Sequence, residues 1–148
     1  MGTGKFANSK GKRGEREAVN VLQPTIDKVY AARGLDAPKM YRNQNQSADG
    51  GYDLACDATQ WMALEIKRCE TLQINKWWKQ CVSQGSPEQV PVLLYRQSRK
   101  RWQCVMYGYL TVGSGLRVKS RVHVDLDTFL TYFEAKLSVM LDENGVDG

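Results

Sequence analysis

Apolar residues recur along this chain with two different periods, and the switches between them lay out its elements. Val19, Leu22, Ile26 and Val29 fall three and four apart and predict a helix opening near Arg13 to Glu15. Pro24 sits inside that pattern, so a kink or short break is expected there, and Gly34 supplies a left-handed cap. Lys39 to Asn43 reads as a strand, followed by a polar loop from Gln44 to Gly51. Tyr52 to Ala58 and Trp61 to Arg68 are two apolar strands about a tight turn at Ala58 to Gln60, a pattern that predicts a hairpin. Thr71 to Gln84 is helical, with Ile74, Trp77 or Trp78, Cys81 and Val82 on one face. Val90 to Arg96 and Trp102 to Tyr107 form a second hairpin across a basic turn at Gln97 to Arg101, and Arg117 to Val124 adds a strand after the turn at Gly113 to Gly115. Leu126, Phe129, Leu130, Phe133, Leu137 and Leu141 line one face of a last helix that Asp125 or Asp127 can cap. Helices alternating with strands in this order predict an α/β fold, a mixed sheet with helices packed on it.

A length of 148 residues suits one domain, here residues 13–148, preceded by a flexible basic arm over residues 1–12. Hydrophobic residues at 42% and charged residues at 25% are a globular balance. No apolar run has the length of a membrane span, and the N-terminus lacks the apolar centre of a signal peptide. A cytoplasmic protein is expected, with no membrane partner. Cys56, Cys69, Cys81 and Cys104 are scattered without a Cys-x-x-Cys pair, and His123 is the one histidine. That spacing predicts reduced, partly buried thiols in place of a zinc site, and a structural His123.

Charge sharpens the picture. The net charge is +5, yet from Val122 onward six acids stand against one lysine, a local charge of −5 that leaves +10 on the residues before it. A basic body of this kind attracts a polyanion, nucleic acid first among them. Within it, Asp53 lies on one apolar strand and Glu65-Ile66-Lys67 on the next. Residues two apart on a strand share a face, so Glu65 and Lys67 project together while Leu64 and Ile66 point away. A hairpin would set Asp53 beside Glu65. Two neighbouring carboxylates repel unless a cation lies between them, and a hard divalent ion prefers such oxygen donors. Metal, carboxylates and lysine together are what phosphodiester hydrolysis needs.

The pattern Asp53 with Glu65-Ile66-Lys67 resembles the PD-(D/E)XK nuclease superfamily, with Tyr52 where the superfamily name has proline. The stretch Lys10-Gly11-Lys12-Arg13-Gly14-Glu15-Arg16-Glu17 is similar to the archaeal-type Holliday junction resolvases and their phage relatives, as are Tyr41-Arg42 and Pro91-Val92-Leu93-Leu94. The resemblance runs from Lys10 to Met106. It implies a restriction-endonuclease-like sheet flanked by helices, to which this chain adds a C-terminal helix. It also implies a metal-dependent endonuclease that cuts four-way DNA junctions. Asp53, Glu65 and the helix-borne Glu15 would hold Mg²⁺, for which Mn²⁺ can substitute, and Lys67 would be the catalytic lysine. Arg16 and Arg42 would meet phosphate, and Ser47 would belong to a substrate-facing loop.

Glu15 and Glu17 lie two apart on a helix and face different ways, and the resemblance favours Glu15. Lys10, Lys12, Arg13, Lys79, Gln80, Arg99, Lys100 and Arg101 are further candidates for contact with DNA, as is the strand bearing Arg117, Lys119 and Arg121. Trp77 and Trp78 invite a base-stacking reading, but at least one of them belongs in the core. Symmetric cutting of a junction calls for two active sites, hence a homodimer. The expected setting is a bacterial or phage-infected cell, near the nucleoid. A nuclease acting on duplex ends, flaps or single strands is the alternative, and an inactive DNA-binding protein on the same fold a third.

Overall fold

The computed structural model describes residues 3–42 and 54–145, with side chains from Arg13 onward. The first helix, α1 (Thr3–Ala31), begins ten residues before the expected start and runs through Pro24 without a break. Proline there removes a bond to the carbonyl of Asn20, and both residues are exposed, so water can serve that carbonyl. Its buried stripe is Ala18, Leu22, Ile26 and Val29. The helix closes as the sequence suggests: Gly34 takes φ +68°, its N–H donates to Ala31, and the Leu35 N–H reaches back to Tyr30.

Two short strands follow, β1 (Tyr41–Arg42) and β2 (Leu54–Ala55), paired antiparallel. Among the described residues β2 pairs with β1, so the hairpin expected between the Asp53 and Glu65 strands is not formed. The reason is local. After Cys56 the chain turns into a 3-10 segment, Asp57–Thr59, in which both the N–H and the hydroxyl of Thr59 bond the Cys56 carbonyl. A pocket of about 410 Å³ is lined by Leu54 and Cys56 from this segment and by Met62 and Leu64 from the next strand.

The main sheet has the order β3 (Met62–Cys69), β4 (Val90–Gln97), β5 (Gln103–Gly113), β6 (Leu116–Asp125). The first pair is parallel and the other two antiparallel, so the sheet is mixed as expected. A parallel pair needs a crossover, supplied by α2 (Ile74–Gln84). Strands β5 and β6 run longer than the pattern predicted, and α2 begins three residues later. Last comes α3 (Leu126–Gly145), whose Thr128 N–H donates to Asp125 at 2.7 Å, which settles the cap on Asp125.

Helices α1 and α3 bury Leu22, Ile26, Phe129, Phe133 and Leu137 against Leu64, Ile66, Val92, Leu94 and Cys104 on one face of the sheet. Helix α2 covers the other face, where Trp77, Trp78 and Cys81 meet Leu93, Tyr95 and Val105. Both tryptophans are therefore core, with Tyr95 and Tyr107 as ring partners, and neither is free to stack on a base. Val82, expected on that face, is 39% exposed. Cys56, Cys81 and Cys104 are buried, Cys69 is half-buried, and none of the four is in a disulfide. His123, expected to be structural, is exposed on β6. No helix among the described residues is long and apolar enough to cross a membrane.

Candidate active site

Among the described residues strand β3 is an edge of the main sheet, and its alternation decides what each face carries. Leu64 and Ile66 enter the α1/α3 core. Glu65 and Lys67 stand beside Leu93 and Tyr95 in register, on the face that α2 covers. Ala63 fixes the depth of that packing. A Cβ at Gly85, just past α2, would lie 2.8 Å from the Ala63 Cβ, and the Cys81 thiol reaches the Ala63 carbonyl.

The Glu65 carboxylate is 2% exposed, deeper than an acid normally sits, and accepts from the Lys67 ammonium at 3.0 Å. The Lys67 side chain is 29% exposed, so the pair has one sealed end and one end at the surface. An acid this deep is strongly attracted to any further cation that can approach it.

Glu15 arrives from the other side. A Cβ at Gly14 would lie 3.0 Å from the Arg68 Cβ, so glycine lets α1 press on β3 a few tenths of an ångström closer than another residue would. Glu15 is 9% exposed, and Arg42 on β1 donates a charge-assisted hydrogen bond to it. Glu15, Arg16 and Arg42 line a shared cleft of about 490 Å³ between α1 and the β1–β2 pair, with Leu54, the residue that follows Asp53, on its wall. Asp53 and Ser47 themselves lie outside the described residues.

Glu17 has a different occupation. It accepts from Arg96 at 2.8 Å and faces Arg68 at 3.5 Å, tying α1 to β3 and β4. Of the two helix acids, Glu17 thus holds the frame together while Glu15 lines the cleft. Nothing in the sequence signalled these pairs, because the partners Arg42 and Arg96 lie 27 and 79 positions away.

The remaining candidates are spread more widely. Arg13 and Arg16 are exposed on α1, and Lys79 and Gln80 are exposed on α2. The side chains of Lys10 and Lys12 lie outside the described residues, although their backbone is helical. Arg99, Lys100 and Arg101 form the β4–β5 turn, with Arg99 at φ +66°. Lys100 and Arg101 line a cleft with Asp125 and Asp127, acids that offset their charge.

Among the described residues no group of three acids, histidines or cysteines is placed to hold a metal ion. The donors at hand are nevertheless of the right chemistry: a sealed carboxylate in Glu65 and a nearly buried one in Glu15, both hard oxygen ligands suited to a divalent cation. A mixed sheet with helices on both faces and Glu-x-Lys on an outer strand is consistent with the restriction-endonuclease-like fold. The chain belongs to the family described as "Phage putative PDDEXK endonuclease", which matches residues 7–142. Members of the wider PD-(D/E)XK group generally depend on a divalent metal. No curated protein and no solved structure matches the chain at a significant level.

Proposed function

We propose that this chain is a Mg²⁺-dependent, structure-selective DNA endonuclease that resolves four-way junctions. The observation that carries the catalytic part is Glu65, sealed at 2% exposure with the Lys67 ammonium 3.0 Å away on an edge strand, in a chain of nuclease family. Glu65, Asp53 and Glu15 would hold the metal, which when bound polarises the scissile phosphate and acidifies a water. The protein's own groups do the rest. Lys67, partly exposed and fixed by Glu65, can orient the attacking water and offset charge that builds on the phosphate oxygens. Arg42 and Arg16, sharing the cleft with Glu15, can position phosphate, as can Ser47, Lys79 and Gln80. Lys10, Lys12, Arg13, Arg99, Lys100 and Arg101 would meet the DNA farther out.

Junction specificity rests on the resemblance of the Gly14-Glu15 segment and on the basic charge of residues 1–121, which suits recognition by backbone and shape. Two cuts per junction call for a homodimer, acting in the cytoplasm at the nucleoid. Leu110, Leu116 and Val118, exposed together on one face of the β5–β6 hairpin, are the kind of surface that copies can share.

The test is cleavage of a labelled four-way junction in Mg²⁺ beside duplex, flap and single-stranded DNA, with D53N as control. Paired symmetric nicks confined to the junction and lost in D53N support the resolvase. Cutting of every substrate would replace it with a broader nuclease, and binding without cutting in Mg²⁺ or Mn²⁺ would end the enzymatic reading.

A further inference from the structure

Strand β4 pairs with β5 only as far as Met106, whereas β5 and β6 stay paired to Gly113 and Leu116. From Tyr107 outward the sheet therefore continues as a two-stranded ribbon about 20 Å long. Alternation gives its two faces opposite characters. One carries Leu110, Leu116 and Val118, with a bulge between Thr111 and Gly113 near the tip. The other carries three cross-strand pairs in succession: Tyr107 with Arg121, Tyr109 with Lys119, and Thr111 with Arg117.

The second face is the one that holds Glu65 and Lys67. Val105, two residues before Tyr107, packs in the α2 core, Tyr107 meets Trp78 edge-on at 5.1 Å, and Arg121 donates to Asn75 of α2 at 2.9 Å. Lys119 lies over the Tyr107 ring at 4.1 Å, which leaves the ring of Tyr109, in a residue 61% exposed, open to a partner. No acid stands among these pairs; the first along β6 is Asp125, occupied in capping α3. Lys79 lies one helical turn beyond Asn75 and extends the positive charge along α2.

Cations at two-residue spacing with an open aromatic ring between them are the elements of a site for a nucleic-acid strand with unpaired bases. The charges follow the backbone, and the ring takes a base without reading its identity. We infer that the β5–β6 ribbon binds a single-stranded segment of the DNA substrate, with Arg117, Lys119 and Arg121 on phosphates and Tyr109 stacked on a base. The inference rests on the nuclease reading for its choice of polyanion. It adds that the four-way junction presents unpaired bases at its branch point, next to the cut, to this ribbon.

The experiment uses the full chain in EDTA, with a fluorescein-labelled oligothymidine and a matched duplex titrated by anisotropy over a series of salt concentrations. In R117Q/K119Q the slope of log affinity against log salt for the oligothymidine should flatten by about 1.4, from about 0.7 for each phosphate that is no longer neutralised. Y109A should weaken oligothymidine binding about 5- to 150-fold, with Y109F restoring it. An unchanged slope would overturn the ribbon as a binding face, and equal losses on duplex and single strand would overturn the single-strand assignment. Y109A binding as tightly as the unaltered protein would overturn the stacking. Because these side chains are exposed, unchanged melting of each variant is expected, and Y109A read alone keeps the test open should the double variant unfold. Cleavage in Mg²⁺ is scored separately. Unaltered protein that binds with the full salt slope and never cuts would remove the nuclease reading and leave the ribbon standing.

Discussion

Replacing Lys67 by methionine separates the two ends of the buried pair. At 3.0 Å and an effective dielectric near 20, the attraction between Glu65 and Lys67 is about 5 kcal/mol. Lys67 is 29% exposed, so water already screens a good part of it, and a net loss of about 2–3 kcal/mol is expected from K67M. The converse change, E65Q, leaves a lysine that can turn to solvent and a neutral amide in the sealed position, and should cost about 1 kcal/mol. For a chain of this size each kcal/mol moves the midpoint by roughly 2–4 °C, so K67M should melt about 5–10 °C below the unaltered protein and E65Q about 2–4 °C below. The decisive species is the double variant. With both charges gone, E65Q/K67M should melt above K67M alone. Calorimetry or chemical denaturation with an unchanged slope reads this directly. A double variant no more stable than K67M, or an E65Q as damaging as K67M, would refute the view that the sealed carboxylate controls the energetics. All three variants should lose about 100- to 10,000-fold in cleavage.

Glu15 and Glu17 should part company: E15Q is expected to abolish most cleavage with little change in melting. E17Q, which loosens Arg68 and Arg96 from α1, should lower stability by about 1–2 kcal/mol and cleavage only in proportion to unfolding. In G85A the new methyl would lie 2.8 Å from the Ala63 Cβ, pushing α2 off β3, and a loss of about 1–3 kcal/mol in a denaturant melt is expected. The side chain and backbone N–H of Thr128 hold the Asp125 carboxyl below its ordinary value. A depressed value in the fold means the cap stabilises above the unfolded value of about 3.9 and loses that effect as pH falls through the folded one. The melting gap between the unaltered protein and D125A should hold steady near neutrality and close in acid.

Much of this architecture was legible because burial leaves a mark on the spacing of apolar residues. The stripe of Leu22, Ile26 and Val29, the Gly34 cap, the face of Phe129, Phe133 and Leu137, and the alternation that sets Glu65 with Lys67 all follow from local periodicity. What was not legible depends on residues far apart in the chain. That β2 would pair with β1 was not legible, because a turn after Cys56 reads the same whether the strand before it pairs with β1 or with β3. The burial of both adjacent tryptophans was hidden because helical spacing assigns one of two neighbours to a face, whereas both join the cluster with Leu93, Tyr95 and Val105. The pairing of Arg42 with Glu15, and of Arg96 with Glu17, exists only once the fold has assembled.

Among the described residues the two cores flanking the sheet are of unequal weight, with two long helices on one face and the eleven-residue α2 on the other. Glu65 and Lys67 belong to the lighter side. Amide protons of α2 should therefore exchange with solvent sooner than those of α1 and α3, as a unit that opens below the global unfolding free energy. The face proposed to meet DNA can then loosen by releasing one short helix while the frame that carries β3 stays intact. Substitutions that quicken exchange in α2 would alter turnover and leave the melting temperature where it was.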